Sequence, residues 1–106
     1  ADAAVAAGAT AVVCHNDMLA IGVLRRLRDR KITVPDHMSV VGFDNIFGSD
    51  LCTPTLTTLA ERTEDAGSRA IDMLGRQAYE RVVEQAESVL PTQLVVRGST
   101  GAAPPA

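Results

Sequence analysis

Tryptophan is absent from this 106-residue sequence, and aromatic residues make up only 3% of it. A core must therefore be built from Ala, Val, Leu and Ile, which supply most of the 46% apolar content. Basic residues are not in excess: ten Lys and Arg face thirteen Asp and Glu, for a net charge of −3. Nothing here neutralises a run of phosphates, which argues against direct nucleic-acid binding. Cysteine is scarce too. Cys14 and Cys52 are too few and too far apart for a disulfide framework or a zinc site, and they fit a reducing cytosol. Cys14 lies in an apolar run and reads as a small hydrophobe. No stretch reaches the roughly 18 consecutive apolar residues that a membrane span requires. The amino terminus lacks the charged-then-apolar order of a signal peptide.

Patterning places the elements. Ala1–Gly8 reads as the tail of a helix stopped at glycine. Residues Thr10–His15 form a Val-rich run without alternation, expected as a strand buried on both faces. From Met18 to Lys31, Ala20, Ile21, Leu24 and Leu27 recur at helical spacing. Asp17 stands where a carboxylate caps the helix start, and Arg25, Arg26, Arg28, Arg30 and Lys31 crowd its end. That basic cluster reads as cations complementing the helix dipole rather than as a phosphate patch. Val34-Pro35-Asp36 is a turn, Ser39–Asp44 a second buried strand, and Leu56–Leu59 a short extended segment. Thr63 to about Val83 is a second long helix, with Ala66, Ala70, Ile71, Leu74, Ala78 and Val82 as its stripe and Tyr79 partly buried. Residues 91–98 hold a last strand around Leu94, Val95 and Val96. Alternating strands and helices predict an α/β fold, a parallel sheet flanked by helices.

Ligands of such sheets bind beyond the carboxyl ends of the strands. One strand ends in His15-Asn16-Asp17 and the next in Phe43-Asp44-Asn45. If the strands are neighbours, Asn16 and Asp44 face one crevice. An amide offers donors and an acceptor, and an ionised carboxylate offers only acceptors, a set suited to adjacent hydroxyls. The competing reading is that both side chains merely cap the loops that follow. No nucleophile elbow, metal-ligand spacing or phosphate loop is present, and His15 and His37 have no third ligand at suitable spacing. No catalytic residue, metal or cofactor is therefore expected. Gly22, inside a helix, fits close packing either at a dimer interface or in the core.

Asn16-Asp17-Met18-Leu19-Ala20-Ile21-Gly22, Val34-Pro35-Asp36, Ser39-Val40-Val41-Gly42-Phe43-Asp44 and Pro54-Thr55-Leu56-Thr57-Thr58-Leu59 together resemble the lactose-repressor/galactose-repressor family of bacterial transcription regulators. Leu90-Pro91-Thr92 and Leu94-Val95-Val96-Arg97-Gly98-Ser99-Thr100 extend the resemblance, which runs in order from Thr10 to Thr100. It implies part of a type I periplasmic-binding-protein-like fold, two α/β subdomains closing on a small-molecule effector. It also implies effector contacts at Asn16 and Asp44, with Glu61 and Thr63 bordering the pocket. Dimer contacts are implied at Met18, Ile21 and Gly22 and at Leu51 and Cys52. The chain departs from the family at Ala60-Glu61, where a basic residue and Gln are common, and at His15, where a small residue is frequent.

By this resemblance residues 1–60 belong to the carboxyl-terminal subdomain and 61–89 to an otherwise missing amino-terminal one. Residues 90–100 are a returning strand and 101–106 a tail. The expectation is a fragment of a cytoplasmic repressor that senses a sugar or similar metabolite and forms a homodimer. It would reach operator DNA only through a missing amino-terminal domain and make no membrane contact. A periplasmic sugar-binding protein of the same fold is the alternative.

Overall fold

The computed structural model describes residues 1–80 and 87–105. They fall into two units, residues 1–60 with 93–106 and residues 61–92.

In the first unit, the Val-rich run after Thr10 becomes strand β1 (Ala11–Val13). It is preceded by helix α1 (Asp2–Ala6), whose chain turns out at Gly8, φ +70°. Glycine accepts this left-handed conformation without a Cβ penalty. Helix α2 (Asp17–Asp29) follows β1 and buries Ala20, Leu24 and Leu27. It closes with Lys31 in the left-handed region at φ +59°, while the Ile32 N–H donates to the Leu27 carbonyl at 2.9 Å. This is a Schellman-type end with lysine in glycine's place. The basic cluster does more than complement the dipole: Asp2 accepts from Arg26 Nε at 3.1 Å and Arg30 Nη1 at 2.9 Å, tying α1 to α2.

Strand β2 (Ser39–Phe43) pairs parallel with β1, Val13 opposite Val41, and strand β3 (Thr57–Ala60) pairs parallel with β2. Strand β4 (Gln93–Val95) completes the order β1-β2-β3-β4, but it runs antiparallel to β3. The expected parallel sheet is thus a mixed one. The physical reason is connectivity. The chain leaves this unit from the carboxyl end of β3 and re-enters beside it, so the returning strand must run the opposite way.

The core is aliphatic: Ala20, Leu24, Leu27, Met38, Val40 and Leu56. Burial on both strand faces does not hold. Residues of β2 alternate between buried and half-buried, and Val13 on β1 is 75% exposed. Helix α2 packs on β2, and among the described residues β1 has no strand on its outer side.

The second unit is built on helix α3 (Thr63–Glu80), which opens with Glu64 and Asp65 in its first turn. Asp65 Oδ2 lies 2.6 Å from Arg62 Nε. The stripe is present at helical spacing but faces solvent, with Ile71 70% and Leu74 64% exposed. Tyr79, expected to be partly buried, is exposed, since among the described residues no element of this unit packs over its face of α3. Val82 and the expected end of the helix near Val83 lie outside the described residues.

Candidate functional site

Parallel pairing of β1 with β2 brings the two strand ends together. Asn16 and Asp44 each stand three residues beyond the Val13–Val41 pair, and the Cys14 N–H donates to the Val41 carbonyl at 2.8 Å to extend that pairing. Both side chains therefore follow neighbouring strands at matched register, at the end where ligands of parallel sheets sit.

Asn16 is the N-cap of α2: its backbone is extended and its Oδ1 accepts from the Leu19 N–H at 2.9 Å. The cap expected from Asp17 belongs to Asn16, one residue earlier. Capping occupies only one lone pair of Oδ1, and the amide nitrogen makes no bond among the described residues, so two donors stay available.

Asp17 does something the sequence reading missed. It is fully buried, and its Oδ1 accepts from Thr58 Oγ1 at 2.5 Å while its Oδ2 accepts from the Ile46 N–H at 3.0 Å. One side chain at the start of α2 thereby binds both β3 and the loop after β2. The room comes from Gly42. A Cβ there would collide with Asp17 Oδ1 and lie 3.1 Å from Asp17 Cγ. Glycine inside a strand signals close approach of another group, and this was the available clue.

Asp44 and Asn45 sit in the left-handed region, φ +101° and +52°. Non-glycine residues there cost on the order of 1 kcal/mol each, so the surroundings must over-determine the turn. They do. The Asp44 N–H donates to the Leu59 carbonyl at 2.9 Å, and the Asn45 N–H reaches Thr58 Oγ1 at 3.4 Å. Asn45 Oδ1 accepts from Arg97 Nη2 at 2.8 Å and lies 3.1 Å from Ser49 Oγ. The effect is to leave the Asp44 side chain exposed, with no hydrogen-bond partner among the described residues. Capping of a following loop, the competing reading, is met by Asn16 and Asn45 but not by Asp44.

Glu61 and Thr63 belong to the second unit and are exposed. A cleft of about 230 Å³ in that unit has a mixed lining, with Glu61, Thr63, Ser88 and Thr92 beside the apolar Leu90 and Pro91. Of the residues expected at a dimer contact, Met18, Gly22 and Leu51 are exposed, and Ile21 and Cys52 are half-buried against the core. An added Cβ at Gly22 would meet nothing within 4 Å, so the core-packing explanation of this glycine fails in this chain. Burial pushes the Cys14 thiol above its ordinary range.

A model of the periplasmic binding protein-like domain matches residues 1–100. The chain belongs to the periplasmic binding protein-like domain family. Within that family it is 37% identical over 95 residues to the HTH-type transcriptional repressor CytR of Escherichia coli (strain K12), covering 90% of this chain and 28% of that protein. Among solved structures, the lac repressor dimer bound to operator and the anti-inducer ONPF superposes with a TM-score of 0.82 at 31% identity. It covers 89% of this chain and 32% of that one. The complex of the transcriptional regulator CelR with cellobiose gives 0.82 at 30% identity, covering 89% and 29%. This periplasmic binding protein-like chain thus spans under a third of the length of the curated relative it matches.

Proposed function

We propose that this chain is the effector-binding and dimerisation part of a bacterial transcriptional repressor that senses a sugar or a similar small polar metabolite. The carrying observation is the Asp44 turn: a carboxyl group without a partner among the described residues, held out on two left-handed residues at the strand end next to Asn16, whose amide N–H donors stay available while its Oδ1 caps α2. Family membership supports the regulator reading, since the relatives are repressors and regulators rather than enzymes or transport proteins. It also favours that reading over a periplasmic sugar-binding protein, and a cytoplasmic location goes with it. No described helix is long and apolar enough to cross a membrane.

In this proposal residues 1–60 and the strand at 90–100 belong to the carboxyl-terminal subdomain, and residues 61–89 to the amino-terminal one. Asn16 donates to and Asp44 accepts from effector hydroxyls, and the family resemblance adds Glu61 and Thr63 to the effector contacts. Met18, Ile21, Gly22, Leu51 and Cys52 contribute to the homodimer contact. Operator DNA is engaged by a helix-turn-helix elsewhere in the full-length protein, and no catalysis or cofactor is involved. The effector acts by binding one subdomain arrangement better than the other; with equal affinity it would shift nothing.

The test uses the full-length protein. A thermal-shift screen against sugars and nucleosides finds the effector as a compound whose stabilisation grows with concentration. Asp44→Asn then weakens its Kd by about 10- to 100-fold, the worth of one charge-assisted hydrogen bond. Operator affinity without effector stays at the wild-type value. Unchanged effector affinity would remove Asp44 from the site.

A further inference from the structure

We infer that Arg97 is the positioning residue of the Asp44 carboxylate, an inference that rests on the reading of Asp44 as an effector contact. Arg97 follows β4, four residues after the chain re-enters the first unit at Gln93. Its guanidinium directs its donors at three acceptors: Asn45 Oδ1 at 2.8 Å, Ser49 Oγ at 3.1 Å and the Leu56 carbonyl at 2.9 Å. Its own N–H donates to Thr57 Oγ1 at 2.9 Å, so backbone and side chain are fixed together. No carboxylate pairs with it among the described residues. An arginine half-buried without a counter-charge, and aimed at a turn rather than at an anion, is serving geometry.

The target of that geometry is the left-handed pair. Asn45 is the second residue of the turn, and Arg97 grips its Oδ1 from one side while Asp17 takes the next N–H, that of Ile46, from the other. Ser49 Oγ accepts from Arg97 and donates to the Ile46 carbonyl at 2.7 Å, closing the loop over residues 45–49. Release of Asn45 would let this strained turn relax towards ordinary φ, and the Asp44 side chain would leave its place opposite Asn16. Lysine cannot replace arginine here. A single ammonium has the charge but not the planar fork that spans an amide oxygen, a hydroxyl and a carbonyl at once.

The experiment uses full-length protein carrying Arg97→Lys, Arg97→Met, Asn45→Ala or the Arg97→Met/Asn45→Ala pair. Hydrogen exchange, read without any ligand, is expected to speed up about tenfold or more at the amides of Asn45, Ile46 and Ser49 in each variant. The amides of Val40 and Val41 should exchange as in wild type. Cellobiose, D-ribose and adenosine serve as binding probes, and the one that raises the wild-type melting midpoint most is titrated by calorimetry. Its Kd should weaken about tenfold in Arg97→Lys even where the midpoint is kept, and the double variant should be no worse than either single one. A purely structural staple would lower the midpoint and leave Kd at low temperature unmoved. Wild-type exchange at residues 45–49 in Arg97→Met overturns the inference with or without a binding probe. Asp44→Asn separates the two failures. If it leaves Kd unchanged, the site reading falls; if it weakens Kd while Arg97→Lys does not, only the positioning role falls.

Discussion

The contact between Gly42 and Asp17 yields a sharp energetic prediction. Gly42→Ala drives a methyl carbon into Asp17 Oδ1 and places it 3.0 Å from Leu56 Cδ2, both inside normal contact. The backbone of β2 is pinned between β1 and β3, so the carboxyl group must give way. It then abandons two partners, the Ile46 N–H and the fully buried Thr58 hydroxyl. Orphaning a buried polar group costs about 1–3 kcal/mol, and overpacking adds about 1–3 more. The sum is about 2–6 kcal/mol, at its upper end comparable to the whole stability of many domains. Asp17→Ala loses the same two hydrogen bonds and should cost about 2–5 kcal/mol by itself. The two substitutions share one physical cause, so the double variant should not show both costs in full. With the carboxyl gone, the methyl introduced at position 42 fills its space, and only the Leu56 contact remains tight. The double variant should lie within about 1 kcal/mol of Asp17→Ala, a coupling of about 1–6 kcal/mol, which is the cost of Gly42→Ala less whatever the Leu56 contact retains. Urea unfolding followed by circular dichroism at low temperature measures all four corners. Additivity within about 0.5 kcal/mol would show that the clash and the hydrogen bonds are unrelated, and would refute the reasoning.

Two further predictions concern parts of the chain away from the strand ends. Hydrogen bonds from Arg26, then from Arg30, hold the Asp2 carboxyl below its ordinary value of 3.8. A carboxyl depressed on folding contributes in full above its unfolded value and loses that contribution as pH falls through its folded one. Exchange at the α1 amides should therefore rise below about pH 4 relative to those of α2, and Asp2→Asn should abolish that pH dependence; a wild-type profile in Asp2→Asn would contradict the ion pair. On α3, replacing both Ile71 and Leu74 by Ser should change the stability of this 106-residue chain by under about 0.5 kcal/mol, since both side chains already face solvent. In the full-length protein the same pair should cost about 3 kcal/mol or more, because the proposed amino-terminal subdomain covers that face. Equal effects in the two contexts would argue against it.

What was legible in the sequence follows from the range of the forces involved. Helix α2 was readable because its stripe of Ala20, Ile21, Leu24 and Leu27 is a local periodicity, and the structure buries three of these. Strands β1 and β2 were readable as Val-rich runs, but their surroundings were not. Whether Val13 is covered depends on what pairs beside β1, which no local pattern encodes. The direction of β4 was likewise a matter of connectivity. Alternation of strands and helices argues for parallel neighbours, yet β4 returns beside the strand from which the chain departed. The strand ends show the same division more finely. That Asn16 and Asp44 sit at matched positions is a consequence of parallel pairing, and the sequence supplied both residues and a conditional statement about neighbours. What each side chain does was decided by partners far along the chain. Asn and Asp at a strand-to-helix junction are equivalent caps on propensity alone. The structure separates them because Gly42 opens a space only Asp17 can enter, at 41 residues' remove from its partner Thr58. Asp17 is consequently withdrawn to support the loop, and Asn16 is left to cap. Asp44 differs from both: its neighbours Asn45 and Ile46 absorb the available partners, and its own carboxyl is left unengaged among the described residues. A candidate binding residue is marked here by what the structure declines to satisfy. That becomes visible only once every neighbouring hydrogen bond has been assigned.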